Sequence, residues 1–258
     1  MVKEQNYRRK ITHAKYTYMS KAAEDVGILN KLNKEITDNK WITKKSELDH
    51  KKTFKHIDDK VIEFEVAPKV IPLIGGGVFL FLLVSLLLII STSNEATTST
   101  LKVWLVFLSS GLTFFTYYYL TMPPKETIYN SIDGLVTFPG FMWHKNITMS
   151  IHDVEFAYSQ PSAQGVGAYQ LRIVRPDKMF SQALMSSGGN CYEDLSFWLW
   201  YMDKNRPLPP GDAFDEFRKR DFRRRKAQGF PKPLFPARFE TPEATPEQQA
   251  ERERIGGW

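Results

Sequence analysis

Only one cysteine, Cys191, occurs in 258 residues, so the chain has no intramolecular disulfide framework and no CxxC-type zinc or redox site. Catalytic signatures are missing as well: no G-x-S-x-G, H-E-x-x-H or P-loop pattern occurs. The five histidines, His13, His50, His56, His144 and His152, are scattered. His152 is nearest to a polar cluster, beside Asp153 and Glu155, but strand alternation predicts that it faces away from both acids. Cys191 stands at a predicted helix start, where a thiol is activated in some enzymes, yet a lone cysteine there reads as structural. Gly165 and Gly167 lack the third glycine and the following helix of a dinucleotide site. These absences predict a protein that is not an enzyme, with no cofactor and no metal.

The most informative absence is local. Neither sign of charge appears from Ile71 to Ile90 or from Val103 to Met122, although a quarter of the chain is charged and its net charge is +6. Twenty helical residues reach about 30 Å, the thickness of a hydrocarbon core. Both runs, 71–90 and 103–122, are therefore predicted to be transmembrane helices. The polar connector Ser91 to Lys102 is short, so the two form an antiparallel hairpin with both chain ends on one side. Lys51, Lys52, Lys55, Lys60, Lys69 and Lys125 flank the open end, against Lys102 alone in the connector, which predicts cytoplasmic termini. Trp104 and Tyr117 to Tyr119 suit the two interfaces, and Pro123 and Pro124 end the second helix. The spans hold no ionisable group for a proton relay, ion site or voltage sensor. Their small residues, Gly75, Gly76, Gly77, Ser109, Ser110 and Gly111, permit close backbone approach, either within the hairpin or to a second subunit or membrane protein.

Residues 1–69 carry 16 basic and 11 acidic side chains without a long apolar run, and form a basic N-terminal arm. Its charge suits anionic headgroups or plain solvation equally well. A helix is predicted within Lys15 to Ile36, and Val61 to Val66 alternates as a strand able to pair with the domain beyond the membrane. Residues 123–211 change texture. TIYNS and LVTFP flank an Asp133-Gly134 turn, and NITMSI, DVEFAYS, AYQLRIVR and KMFSQALMS follow as short strands. YEDLSFWLWYMDKN then reads as an amphipathic helix with Leu195, Trp198, Leu199 and Met202 on one stripe. Short antiparallel strands closed by a helix are an α+β pattern.

The segments TIYNSIDGLVTFPG, NITMSIHDVEFAY and EDLSFWLWYMDKNRPLPPG resemble an uncharacterised proteobacterial family of two-transmembrane-helix proteins. In that family the hairpin precedes a small pleckstrin-homology-like (PH-like) antiparallel β barrel with a C-terminal capping helix in the cytoplasm. The resemblance covers about residues 60–211. It implies a multi-pass protein of the bacterial inner membrane, sometimes encoded near contact-dependent secretion systems, with an accessory or immunity role. Six strands follow the membrane where such a barrel has seven, and Val61 to Val66 is placed to supply the seventh.

Residues 212–258 form a last region. Asp212 is the expected N-cap of a helix through Gln228, with Gly229 as its stop. This helix gathers Arg218, Lys219, Arg220, Arg223, Arg224, Arg225 and Lys226, a density that reads as anionic-lipid binding or as a solvated face shared with Asp212, Asp215, Glu216 and Asp221. Nucleic acid is disfavoured because no reader motif accompanies the charge. The Pro-rich tail from Gly229 is expected to be extended and mobile. Asn146-Ile147-Thr148 matches a glycosylation sequon that a cytoplasmic location makes meaningless. The expected protein is a non-catalytic membrane anchor presenting a protein-binding domain, its partners being the lipid bilayer and either another protein or further copies of itself. Two alternatives are a membrane-permeabilising effector and an anionic-lipid sensor.

Overall fold

The computed structural model describes residues 7–18, 30–38, 54–64, 66, 69–92, 99–159, 169–177, 182–184 and 190–258. The chain divides into two compact units: Val66–Lys125 with Gly140–Asn146, and Met1–Glu65, Glu126–Pro139 and Ile147–Trp258.

The first unit is built on helices α1 (Val70–Thr92) and α2 (Ser99–Thr121), 23 residues each and both long and apolar enough to cross a membrane. They differ from the expected spans by taking in Val70, Ser91, Thr92 and Ser99 to Lys102 and by ending at Thr121, one residue short of Met122; residues 93–98 of the connector lie outside the described residues. Their surfaces are apolar and uncovered: Ile71, Phe81, Val106 and Leu120 are each at least 70% exposed. Hydroxyls along them are satisfied within the helix itself, Ser85 donating to the Phe81 carbonyl (2.9 Å), Ser110 to Phe107 (2.8 Å) and Thr113 to Ser109 (2.8 Å). A solvent without hydrogen-bonding capacity requires that arrangement.

Among the described residues, the second unit contains nine strands in two antiparallel sheets. One is the meander β2 (Phe54–Ile57), β3 (Val61–Phe64), β4 (Thr127–Asn130), β5 (Leu135–Phe138) and β6 (Ile147–Ser150). The other has the order β1 (Asn30–Leu32), β7 (Phe156–Ser159), β8 (Gln170–Val174) and β9 (Gln182–Leu184). All six strands expected after the membrane are present. The Val61 segment pairs with the first of them, Val61 opposite Asn130 and Phe64 opposite Thr127. The β4–β5 turn is held by Asn130, whose Oδ1 accepts from the Asp133 backbone N–H (2.9 Å), and closes at Gly134 with φ +66°. Among the described residues the sheets do not close into a barrel; β1 and β2, which the sequence pattern does not predict, widen them instead.

Helix α3 (Cys191–Met202) follows as expected. Its N-cap is reciprocal: Asn190 accepts from the Tyr192 N–H (3.1 Å) and donates to the Glu193 carboxylate (2.9 Å). The predicted stripe of Leu195, Trp198, Leu199 and Met202 is buried, with Trp198 stacked on Tyr129 at 4.2 Å between ring centres. Phe197, Trp200 and Tyr201 on the other faces are buried too, so α3 is a central helix rather than a one-sided cap.

What covers its outer side corrects the expected mobile tail. Phe235 is buried in the core and Phe239 packs against it, the Phe239 ring lying 5.8 Å from Trp200. Ile36 bridges to Ala237 in parallel, and α5 (Pro246–Gly256) closes the chain, capped by Thr245 and stopped at Gly257 with φ +70°. Three other expectations change. The predicted helix within Lys15 to Ile36 is contradicted at Asn30–Leu32, which pairs with β7, and residues 19–29 lie outside the described residues. Asp212 opens a short 3-10 turn after Gly211, and α4 (Asp215–Ala227) begins three residues later. His152 sits in a turn after β6, so strand alternation does not decide which way it faces.

Candidate functional site: the apolar hairpin and the basic helix

In the hairpin, the small-residue clusters do not meet each other. Each receives an aromatic ring from the opposite helix. A Cβ placed on Gly75 would lie 2.5 Å from the Phe115 ring, and one on Gly111 would overlap the Phe79 ring. Phe79 also lies 5.6 Å from Phe115 and 5.9 Å from Phe107, so three rings fill the seam that the glycines open. A Cβ on Gly76 would make ordinary contact with Phe115 (3.6 Å), while one on Gly77 would meet open space. Ser110 and Ser109 bond within their own helix, Ser109 through its carbonyl. Of the six small residues, Gly75, Gly76 and Gly111 thus serve packing of the hairpin on itself.

Beside the end of α2 lies the loop Gly140–Asn146, which the sequence reading passed over. Trp143 packs edge-on against Tyr118 (4.9 Å between ring centres) and Phe114 (5.8 Å), and its indole N–H donates to Thr121 Oγ1 (2.8 Å). The Lys125 ammonium donates to the carbonyls of Gly140 (2.8 Å) and His144 (2.6 Å). The mixture of aromatic and basic residues in FMWHK was its sequence signal.

In the second unit, α4 carries the seven basic residues of the expected lipid site, and most are committed to the fold. Arg225 is 1% exposed and donates from Nε to Asp221 (2.8 Å) and through both terminal nitrogens to Glu243 (2.6 and 2.7 Å). Burial works against its charge, but the hydrogen bonds and charges of Glu243 and Asp221 prevail and hold the guanidinium protonated. Arg224 pairs with the other oxygen of Asp221 (2.6 Å). Arg218 donates to Asp215 and to the carbonyls of Leu208, Pro209 and Gly211. Arg220 pairs with buried Asp59, and Lys226 with Glu251 (2.5 Å). Lys219 and Arg223 are exposed and make no ion pair among the described residues. The i,i+3 and i,i+4 spacing of Asp221 to Arg224 and Arg225 was visible in the sequence; Asp59 and Glu243, distant along the chain, were not.

A second knot fastens the tail. Asp203 Oδ2 accepts from Arg206 Nε (3.0 Å) and from the backbone N–H groups of Leu234 (2.9 Å) and Phe235 (3.2 Å). Burial pushes the Asp203 carboxyl up, against the pull of these donors and of Arg206. Arg206 reaches on to Thr241 Oγ1 (2.9 Å) and the Phe235 carbonyl (2.6 Å). A shallow groove of about 250 Å³ beside this knot is lined by Trp200, Leu208 and Pro242 with Arg218 and Glu243, whose charged groups are already paired. Cys191 is buried, and that burial, with the nearby Asp194 charge, pushes its thiol up rather than activating it. Among the described residues no group of three or more His, Cys, Asp or Glu side chains is arranged to hold a metal ion.

No family model, curated protein or solved structure matches the chain.

Proposed function

We propose that the protein is a non-catalytic integral membrane protein whose α1–α2 hairpin anchors a folded unit that binds another protein at the membrane surface. The observation that carries this reading is the uncovered apolar surface of two 23-residue helices, none of the most apolar stretch of α1 being buried. Water would not tolerate such a surface on a monomer, since exposed apolar patches beyond a few hundred Å² mark an interaction surface. Pairing of β3 with β4, strands that flank the hairpin in sequence, supports an even number of crossings with both open ends on one side. Lysine counts favour the cytoplasm as that side, and the family resemblance suggests the bacterial inner membrane and a role beside a secretion system.

The PH-like assignment remains part of this proposal. Two antiparallel sheets and the helix α3 support it, and the additional strands β1 and β2 set the unit apart from the seven-strand expectation. The rings of Phe115 and Phe79 seated on Gly75 and Gly111 favour a self-packed anchor over a hairpin that oligomerises into a pore. The partners found for Arg218, Arg220, Arg224, Arg225 and Lys226 favour a structural role for α4, leaving Lys219 and Arg223 as the basic groups available to anionic lipid.

Alkaline carbonate extraction followed by co-purification in mild detergent tests both halves. The chain is expected to stay in the membrane pellet and to emerge from detergent with a second protein in fixed stoichiometry. Release by carbonate counts against the anchor, and isolation alone across several detergents counts against the partner.

A further inference from the structure

The loop Gly140–Asn146 is fastened more firmly than a connector between two strands needs. Lys125 grips it at two carbonyls, the Asn146 side chain donates to the Pro124 carbonyl (3.3 Å), and the His144 N–H closes a turn on the Phe141 carbonyl (2.8 Å). Met142 is held at φ +44°, and a Cβ on Gly140 would lie 2.6 Å from the His144 carbonyl, so only glycine fits there. Thr121 Oγ1 donates to the Tyr117 carbonyl (2.7 Å) while accepting from Trp143, which ties the loop to the last residue of α2.

This rigid loop nevertheless leaves its apolar groups outside: Phe141 is 48% and Trp143 37% exposed, with His144 and Lys145 exposed beside them. A loop ordered at an entropic cost of about 1–2 kcal/mol per residue gains nothing in water from presenting Phe and Trp. The headgroup region of a bilayer suits all four. Aromatic rings settle at the boundary between headgroups and acyl chains, and a lysine there meets lipid phosphate. The loop is also continuous with the aromatic end of α2, where Phe114, Tyr117 and Tyr118 surround Trp143.

We infer that Gly140–Asn146 is a preformed interfacial anchor that inserts Phe141 and Trp143 into the phospholipid headgroup boundary. The inference rests on the membrane-spanning reading of α1 and α2, and one experiment separates the two. The full chain, carrying either Phe141→Cys or Leu80→Cys, is labelled with an environment-sensitive fluorophore and reconstituted into vesicles of phosphatidylcholine and phosphatidylglycerol. The native Cys191 is buried and stays unlabelled. The probe at position 141 is expected to shift to the blue, to be shielded from iodide, and to be quenched more by lipid spin-labelled near the headgroup than near the chain end. The probe at position 80 should show the opposite depth preference. Iodide quenching of the 141 probe to the extent of free dye, with Leu80→Cys quenched deep in the bilayer, overturns the interfacial anchor alone. If neither probe is quenched by spin-labelled lipid, the spanning reading falls with it.

Discussion

Gly111 and Gly77 lie in one hairpin and meet opposite surroundings, one beneath the Phe79 ring and the other against open space. Replacing Gly111 by Leu should force the helices apart at an overpacking cost of about 1–3 kcal/mol, lowering the thermal midpoint of the full chain in mild detergent. Gly77→Leu should leave that midpoint unchanged. In the second unit, Glu243 also accepts from the buried Arg252 of α5 (3.4 Å), so Glu243→Ala takes a shared carboxylate from Arg225 and Arg252, and breaking a buried pair in this way costs about 3–5 kcal/mol. Arg223→Ala, on the exposed face of the same helix, should change stability by no more than about 0.5 kcal/mol; chemical unfolding followed by tryptophan fluorescence compares the two. Tyrosines supply a pH signature. Burial, reinforced by Glu63, pushes Tyr7 from 10.0 to about 12, and burial raises Tyr129 and Tyr201 further. Groups raised in the fold stabilise it fully below the unfolded value, so their contribution is lost as the pH climbs from 10 through 12 and beyond. The tyrosinate absorbance of these three should therefore rise only together with loss of near-ultraviolet circular dichroism, and that rise should shrink in Tyr201→Phe. An absorbance rise that Tyr201→Phe removes while the fold stays intact would contradict this.

At the scale of elements, the tail is the decisive case. Truncation after Gln228 removes Phe235 and Phe239 from the core and takes Glu243 from Arg225, so it should unfold the second unit instead of trimming an appendage. In the intact protein, limited proteolysis should spare the peptide bonds between Phe230 and Trp258. The sequence hides this because Phe230, Phe235 and Phe239 are separated by prolines and follow neither helical nor strand periodicity. Elements carrying their own period were legible: the two uncharged runs, the alternation of Val61 to Phe64, the Asp133-Gly134 turn and the α3 stripe. Strand β1 was not, since what makes Asn30–Leu32 extended is its ladder with Phe156–Tyr158, a partner that local pattern cannot reveal. The basic helix was legible as charge but not as structure. Its Arg side chains read as a ligand surface until Asp59 and Glu243, brought from distant segments, are seen to occupy two of them.

On the scale of the whole molecule, strands before and after the hairpin share one ladder, β3 with β4. A chain that crosses twice keeps both open ends of the hairpin on one face of the bilayer and puts the connector on the other. Ser99, exposed at the start of α2, and Ile255, exposed near the C-terminus, are the positions to compare. Single cysteines there, probed in intact cells with a membrane-impermeant maleimide, give the most direct reading. Ser99→Cys should react from outside, and Ile255→Cys only after the membrane is permeabilised. Modification of both from the same side, or recovery of the full chain in the soluble fraction, would contradict a hairpin that crosses the bilayer.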